Sequence, residues 1–214
     1  MCKICGGSTR IIKDDQFDIS YYHCQTCEFI QKDDSKRVSF DKEKEIYDLH
    51  ENSIECEGYV KMFQNFLSSA VMPFKSSGLA LDFGSGPEPV LTQLIKRDYD
   101  FQIDNYDLHY QPEKVYIGKK YDVIVSTEVV EHIPNPMEVF RLFHEQLKDS
   151  GILAFMTLFH ENDEDAFLEW WYRRDKTHIS FFTIKTLEHI AKSIGFEVVY
   201  TDDKRMCTFR KLGI

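Results

Sequence analysis

The stretch "LDFGSGPEP", residues 81–89, decides how this sequence is read. An apolar run ends in an acidic residue and two glycines, the pattern of a strand feeding the ligand loop of an open α/β sheet. In a dinucleotide-binding loop a third glycine follows, and pyrophosphate rests on free N–H groups at the helix start. Here Pro87 and Pro89 delete two such N–H groups, and Glu88 places a carboxylate where phosphate would lie. The loop therefore suits a nucleoside that lacks phosphate and carries positive charge. Gly84 and Gly86 still allow a ligand to approach the backbone closely. Asp107 lies 21 residues after Gly86, the usual distance to a carboxylate that binds ribose hydroxyls.

Around this loop strands and helices alternate. Residues 79–83, 101–107, 121–126, 152–158, 196–200 and 206–209 read as strands. Residues 87–97 read as a helix with proline in its first turn, and 136–147 as a second helix. A third covers 183–194, with Thr183 as N-cap and Gly195 as its stop. Such alternation predicts an α/β, Rossmann-like, doubly wound and mostly parallel sheet. The last two strands are too close in sequence for a helical crossover, so one strand should run antiparallel. No strand can be picked out between Tyr110 and Lys120. Upstream, Tyr59, Met62, Phe63, Phe66 and Leu67 recur at helical steps. The expected organisation is a ribbon over 1–36, a helical linker or cap over 37–77 and a ligand-binding domain over 78–214.

The ribbon is inferred from Cys2, Cys5, Cys24 and Cys27, spaced C-x2-C-x18-C-x2-C. Two short turns, each aiming two sulfurs at one point, make a tetrahedral structural zinc site. Two disulfides are the alternative, but nothing at "MCKICGGSTR" resembles a secretion signal. His23 reads as an ordinary strand residue, and Cys56 and Cys207 as isolated thiols.

No apolar run approaches the roughly 18 residues of a membrane helix, so a soluble, cytoplasmic protein without a membrane partner is expected. The net charge of −10 argues against gripping a nucleic-acid backbone. Basic and acidic residues nearly balance in the ribbon, which points to docking on the main domain or on another protein.

Four motifs in order carry a resemblance. "LDFGSGPEP", "NYDLHY", "YDVIVSTEVVEHI" and "DKTHISFFTIKTLEHIAKSIGFEVV" resemble those of class I S-adenosylmethionine-dependent methyltransferases, with Glu88 where the third glycine usually stands. The resemblance implies S-adenosylmethionine as cofactor. Asp82 would orient the methionine amino group, and Gly84, Ser85 and Gly86 would line methionine and ribose. Asp107 would hold the ribose and Leu108 would lie beside the adenine, with Thr127 and Glu128 at the end of the fourth strand. His50, Asn52 and Tyr59 would cap the cofactor from the linker. For Asp82 and Asp107 the alternative role is turn capping at strand ends.

Methyl transfer to oxygen or nitrogen needs a positioned acceptor and removal of its proton. One candidate cluster is "TEVVEH", in which a helical turn would set Glu128 and His132 on one face. The other is "WWYRRDKTH", with Tyr172, Asp175 and His178 as candidate catalytic groups. Trp170 and Trp171 read equally well as a lid and as core. The spacing E-x-x-E-H resembles the metal motif of ubiquinone-pathway O-methyltransferases and small-RNA 2′-O-methyltransferases. It implies a possible second site of Glu128, Glu131, His132 and His178 for Mg²⁺ or Mn²⁺. The alternative is a metal-free site with His178 as general base. The expected function is methyl transfer to a small-molecule or carbohydrate-like acceptor. RNA methylation with the ribbon as docking module, and a non-catalytic cofactor-binding scaffold, are the rivals.

Overall fold

The computed structural model describes residues 1–49 and 53–213. His50 and Asn52 therefore lie outside the described residues.

The chain opens with three short antiparallel strands, β1 (Thr9–Asp14), β2 (Ile19–Cys24) and β3 (Ile30–Lys32). Two helices follow. α1 (Phe40–Tyr47) is capped by the Ser39 hydroxyl, which accepts from Lys42 N. α2 (Glu57–Phe66) runs on into a π-helical turn over Leu67–Val71. The main sheet then begins with β4 (Ser77–Phe83), α3 (Val90–Asp98) and β5 (Asp100–Tyr106). It continues with β6 (Tyr121–Thr127), α4 (Pro136–Gln146) and β7 (Leu147–Met156). Next come a short α5 (Glu164–Glu169), a two-residue β8 (Ser180–Phe181) and α6 (Ile184–Ile194). The strands β9 (Phe196–Thr201) and β10 (Met206–Lys211) close the chain.

The main sheet has the order β5-β4-β6-β7-β10-β9. Its first four strands are parallel, and β10 runs antiparallel to both β7 and β9. It is thus a Rossmann-like doubly wound sheet with the expected antiparallel strand. Side chains alternate between its faces. Leu81, Phe83, Leu153 and Phe155 join one core with Phe140 and Phe143 of α4 and Leu187 and Ile190 of α6. Ala80, Ile152, Ala154 and Met156 join the other core with α2, the π-turn and Leu91, Leu94 and Ile95 of α3. Period-two alternation on a sheet covered on both sides is the physical origin of the apolar runs in the sequence. Phe140 is fully buried, with Phe143, Phe155, Phe182 and Phe209 around it, so its truncation to alanine should cost about 3–5 kcal/mol.

Two local expectations are corrected. The helix expected from residue 87 begins at Val90, with Pro89 in the N-cap position. Proline disfavours the α conformation in the residue before it, so Glu88 cannot be helical and Pro87 stays in the turn. The strand expected from 152 begins at Leu147, because Tyr121 pairs with Leu147 ahead of a bulge. Between β5 and β6 the chain forms only a bridge from Asp107 to Gln111 and a series of turns, which leaves β5 at the sheet edge.

The strand order reverses at β4, with β5 on one side and β6 on the other. The loops after β4 and β6 therefore adjoin at the carboxyl end of the sheet, where this architecture binds ligands. The contact is close. Gly84 has a φ of +86°, and a Cβ there would meet Val129 Cγ2 at 2.2 Å, so no other residue fits without moving the neighbouring loop.

The second sheet has the order β1-β2-β3-β8. Its fourth strand comes from the far end of the chain, just before α6. Phe29 packs on Phe182, and the Thr186 hydroxyl donates to the Cys27 carbonyl at 2.7 Å. The cysteine-bearing strands are thereby built into the same body as the main sheet.

Candidate functional site

A cavity of about 810 Å³ opens at the carboxyl end of β4, β5 and β6. Asp82, Gly84, Ser85, Gly86, Asp107, Leu108, Thr127 and Glu128 all line it, and so does Tyr59. Its size is in the range that takes a nucleoside-sized ligand together with a second small molecule.

Asp82 is fully buried and accepts from the Thr92 hydroxyl at 2.9 Å. Burial pushes its carboxyl up to about 7, against the pull of that hydrogen bond. A buried carboxylate in this state is a ready partner for a ligand ammonium. Asp107 accepts from Gly86 N, His109 N and Tyr110 N at 2.9, 2.9 and 3.0 Å. It therefore does cap the turn, yet a carboxylate has about four acceptor positions, which leaves room for a ribose hydroxyl. Gly86 has φ +70° and nothing within 4 Å of where its Cβ would be, so the loop has open space in front of it. The Val90 amide is already used by the Glu88 carbonyl at 2.8 Å. With Pro87 and Pro89 this leaves few donors for phosphate. The Ser85 hydroxyl is buried without a hydrogen-bond partner, an orphan that a bound ligand would satisfy.

Several residues that the sequence did not single out complete this half. Phe83, Tyr106 and Tyr116 form an aromatic wall, with centroids 4.8 to 6.0 Å apart. Phe83 and Tyr106 end β4 and β5, and Tyr116 comes from the region in which no third strand was legible. From the linker, α1 covers the opening. Phe40 stacks on His109 at 4.3 Å, Glu43 Oε2 lies 3.4 Å from His109 Nε2, and the Tyr110 hydroxyl donates to Asp48 at 2.7 Å. Tyr47 meets His109 and His132 edge-on, at 5.4 and 5.3 Å, and so spans the two halves of the cavity. The signal was present in Ser39 capping a short charged helix, but nothing local says what that helix covers.

The other half is built from the turn after β6 and the segment before β8. Glu128 takes φ +54°, a left-handed conformation unusual for glutamate. A single 3₁₀ turn then covers Val130–His132. Glu128 is thus outside the turn and does not share a helical face with His132. The Tyr172 hydroxyl instead donates to Glu131 Oε1 at 2.6 Å and lies 3.1 Å from Glu128 Oε2. Burial pushes the Tyr172 phenol well above its usual range, and the two carboxylates add to this, so it stays a hydrogen-bond donor. Burial and the Glu128 charge likewise raise Glu131.

Two imidazoles, of His132 and His178, meet edge-on beside this group, with centroids 4.8 Å apart. His132 Nδ1 contacts the Thr177 carbonyl at 3.2 Å, and His178 Nδ1 contacts the Tyr172 carbonyl at 2.7 Å. A carbonyl can only accept, so each Nδ1 carries a proton, and in the neutral form of either ring the lone pair sits on Nε2. Asp175 Oδ2 lies 4.0 Å from His178 Nε2. Burial raises the Asp175 carboxyl, but the Thr177 hydroxyl and amide outweigh it and hold the group below its ordinary value. Glu131, His132 and His178 offer ligand atoms within 4.8 Å of one another. Trp171 is exposed on the cavity rim, whereas Trp170 packs on Tyr172 and Phe181.

Away from the cavity, Cys2, Cys5, Cys24 and Cys27 bring their sulfurs within 4.8 Å of one another, and all six cysteines are free thiols. Backbone amides of Ile4, Gly7, Thr26 and Cys27 point at the sulfurs at 3.3 to 3.5 Å. Such N–H···S contacts favour thiolates. The hydrogen bond to Cys27 draws Cys2 down to about 5, while Cys27 is pushed up in return. Four sulfurs gathered in this way, with amides pointing at them, are a donor set that fits zinc.

A family model for a methyltransferase domain matches residues 59–201. A ubiquinone biosynthesis O-methyltransferase from Histophilus somni (strain 2336) is 30% identical over 59 residues, 28% of this chain and 25% of that protein. The chain thus aligns with about a quarter of that relative's length. A protein described as an S-adenosylmethionine-dependent methyltransferase from Methanococcus maripaludis superposes with a TM-score of 0.56 at 19% identity, covering 83% of this chain and 96% of that one. Another, from Clostridium acetobutylicum, gives 0.53 at 13% identity, covering 82% and 99%. A mitomycin 7-O-methyltransferase gives 0.57 at 9% identity, covering 81% and 58%. At these identities the structural likeness speaks for the fold.

Proposed function

Because the chain belongs to the methyltransferase-domain family, we propose that it transfers a methyl group from S-adenosylmethionine to a hydroxyl oxygen of a small or carbohydrate-like acceptor. The observation that carries the reading is the orientation of His178. Its Nδ1–H is tied to the Tyr172 carbonyl, which places the basic lone pair on Nε2 in a residue lining the cavity. The name of the ubiquinone biosynthesis O-methyltransferase supports oxygen over nitrogen.

When bound, S-adenosylmethionine supplies an electrophilic methyl group on a sulfonium. In the proposal Asp82 binds the amino group of its methionine part, and Asp107 with the Gly84–Gly86 backbone holds the ribose. The aromatic wall of Phe83, Tyr106 and Tyr116 receives the adenine, and α1 shields the site from water. His178 Nε2 takes the proton that the acceptor hydroxyl loses as its oxygen attacks. Asp175, at 4.0 Å, offsets the charge that the imidazole gains. Tyr172 fixes the carboxylates of Glu128 and Glu131 by hydrogen bonds rather than acting as a base.

A second reading is favoured by the compact set of Glu131, His132 and His178 and by the orphaned Glu131 Oε2. These residues would hold a divalent ion that lowers the pKa of a vicinal diol or catechol. Two imidazoles suit Mn²⁺ better than Mg²⁺. In this reading Glu128 is not a ligand, since it turns to Tyr172. The four-cysteine site is proposed to hold structural zinc.

The test is transfer of labelled methyl to a panel of catechols, vicinal diols and sugars, before and after exhaustive EDTA treatment. Zinc is restored first, then Mg²⁺ or Mn²⁺. Full activity with zinc alone selects His178 as base, and activity that needs the second ion selects the metal. No transfer to any panel member would count against a small hydroxylated acceptor.

A further inference from the structure

Tyr172 and His178 are tied to the cysteine-bearing sheet through their neighbours in the chain, besides their own contacts at the edge of the main sheet. β8 is the fourth strand of that sheet, with Ile30 opposite Phe181 and Gln31 opposite Ser180. One step on, Lys32 N donates to Ile179 O at 2.8 Å, and Ile179 N donates to Glu131 O at 2.9 Å. The residue after His178 is thus a rung between β3 and the turn that carries Glu131 and His132. Lys32 is buried, and its Nζ donates to the Lys176 carbonyl at 2.9 Å. At the other end of the segment Arg173, next to Tyr172, forms a buried ion pair with Asp14 at the end of β1. Its Nε also donates to the carbonyls of Phe167 and Leu168, at 2.9 and 2.8 Å.

Tyr172, Asp175 and His178 therefore each have, one residue along the chain, a contact with β1 or β3. A buried ammonium and a buried ion pair are poor sources of net stability, because desolvation offsets their attraction. What they do supply is a defined register, since neither charge has another place to go. We propose that the cysteine-bearing sheet is the brace of the acceptor site, with Asp14 and Lys32 as positioning residues. Asp14 acts through Arg173 on Tyr172. Lys32 acts through the backbone of residues 176–179 on His178. The inference rests on the reading of Tyr172 and His178 as acceptor-site groups.

The experiment compares the full-length protein with Lys32→Met, Lys32→Arg and Asp14→Asn. Three quantities are read: amide hydrogen exchange over 171–181, the ¹⁵N resonances of the His178 ring, and S-adenosylmethionine affinity by calorimetry. Loss of one buried hydrogen bond should speed exchange in that segment about tenfold in Lys32→Met and Asp14→Asn. The His178 ring should lose its single Nδ1–H tautomer, and cofactor affinity should stay within about twofold, since the cofactor half makes none of these contacts. Lys32→Arg, which keeps a cation, should restore both signals. If Asp14→Asn does not fold, because Arg173 is left buried without its partner, Lys32→Met decides alone. Unchanged exchange and ring resonances would overturn the inference, and so would an equal loss of cofactor affinity, which would mean general loosening. If the segment loosens while methyl transfer to the acceptor panel stays at the parent's rate, the brace stands and the role given to His178 fails.

Discussion

The His178 ring lies 4.1 Å, centroid to centroid, from the ring of Tyr172, and its Nδ1 donates to the Tyr172 carbonyl at 2.7 Å. One residue thus packs on the other's side chain and is oriented by its backbone. This arrangement makes the two substitutions at the site separable. His178→Ala removes the proposed proton acceptor, and methyl transfer should fall by about 10²- to 10⁴-fold with cofactor affinity retained. Tyr172→Phe keeps the ring under His178 but strips the donor from buried Glu131. Its main effect should be a stability loss of about 1–3 kcal/mol, read by denaturant unfolding. Normal methyl transfer by His178→Ala would remove it from the mechanism.

Asp82 links the cofactor site to pH. Burial raises its carboxyl from 3.8 to about 7. The native protein therefore keeps a proton that the unfolded chain releases near pH 4. Stability tied to this group is complete at low pH and declines as pH rises from about 4 to about 7, by a few kcal/mol. Asp82→Asn has no such proton, so its melting temperature relative to the parent should climb across that window. Thermal melts of both proteins at pH 5 and pH 8 check this, and parallel shifts would contradict it. The same variant should bind S-adenosylmethionine more weakly by about 1.5–3 kcal/mol at pH 8, since a charged partner of the ammonium is lost.

Asp107 caps the loop, and in the proposed reading it also holds the ligand. Asp107→Ala leaves the amides of Gly86, His109 and Tyr110 without their acceptor, so both stability and cofactor affinity should drop, each by about 1–3 kcal/mol. Calorimetry and thermal melting read the two effects. A variant that melts lower but binds as tightly as the parent would leave Asp107 as a turn cap alone.

Elemental analysis should find about one zinc per chain. Because β8 pairs with β3 and Thr186 is tied to Cys27, stripping that zinc should loosen residues 180–186 along with the cysteine turns. Hydrogen exchange before and after chelation shows this directly. Loosening confined to residues 1–36 would mean that the two sheets are independent.

The sequence by itself determined what depends on neighbours in the chain. Period-two and helical patterns marked the strands and helices of the main sheet, and two closely spaced final strands required an antiparallel one. Prolines and a glutamate after Gly86 described a loop that disfavours phosphate, and the C-x2-C pairs described a cluster of four sulfurs. Local sterics, donor counts and chain reach decide all of these.

Only the tertiary structure decided which distant residues meet. Glu128 and Glu131 share the hydroxyl of Tyr172, more than forty residues away, because a left-handed residue and a 3₁₀ turn replace the helix that the spacing suggested. α1 became a cover over the cavity only once His109 lay beneath Phe40. The pairing of Ile30 with Phe181, which gives the cysteine-bearing sheet its fourth strand, leaves no mark in either two- or three-residue segment. Such contacts are set by the packing of whole layers, in which any apolar strand of suitable length would satisfy the local rules.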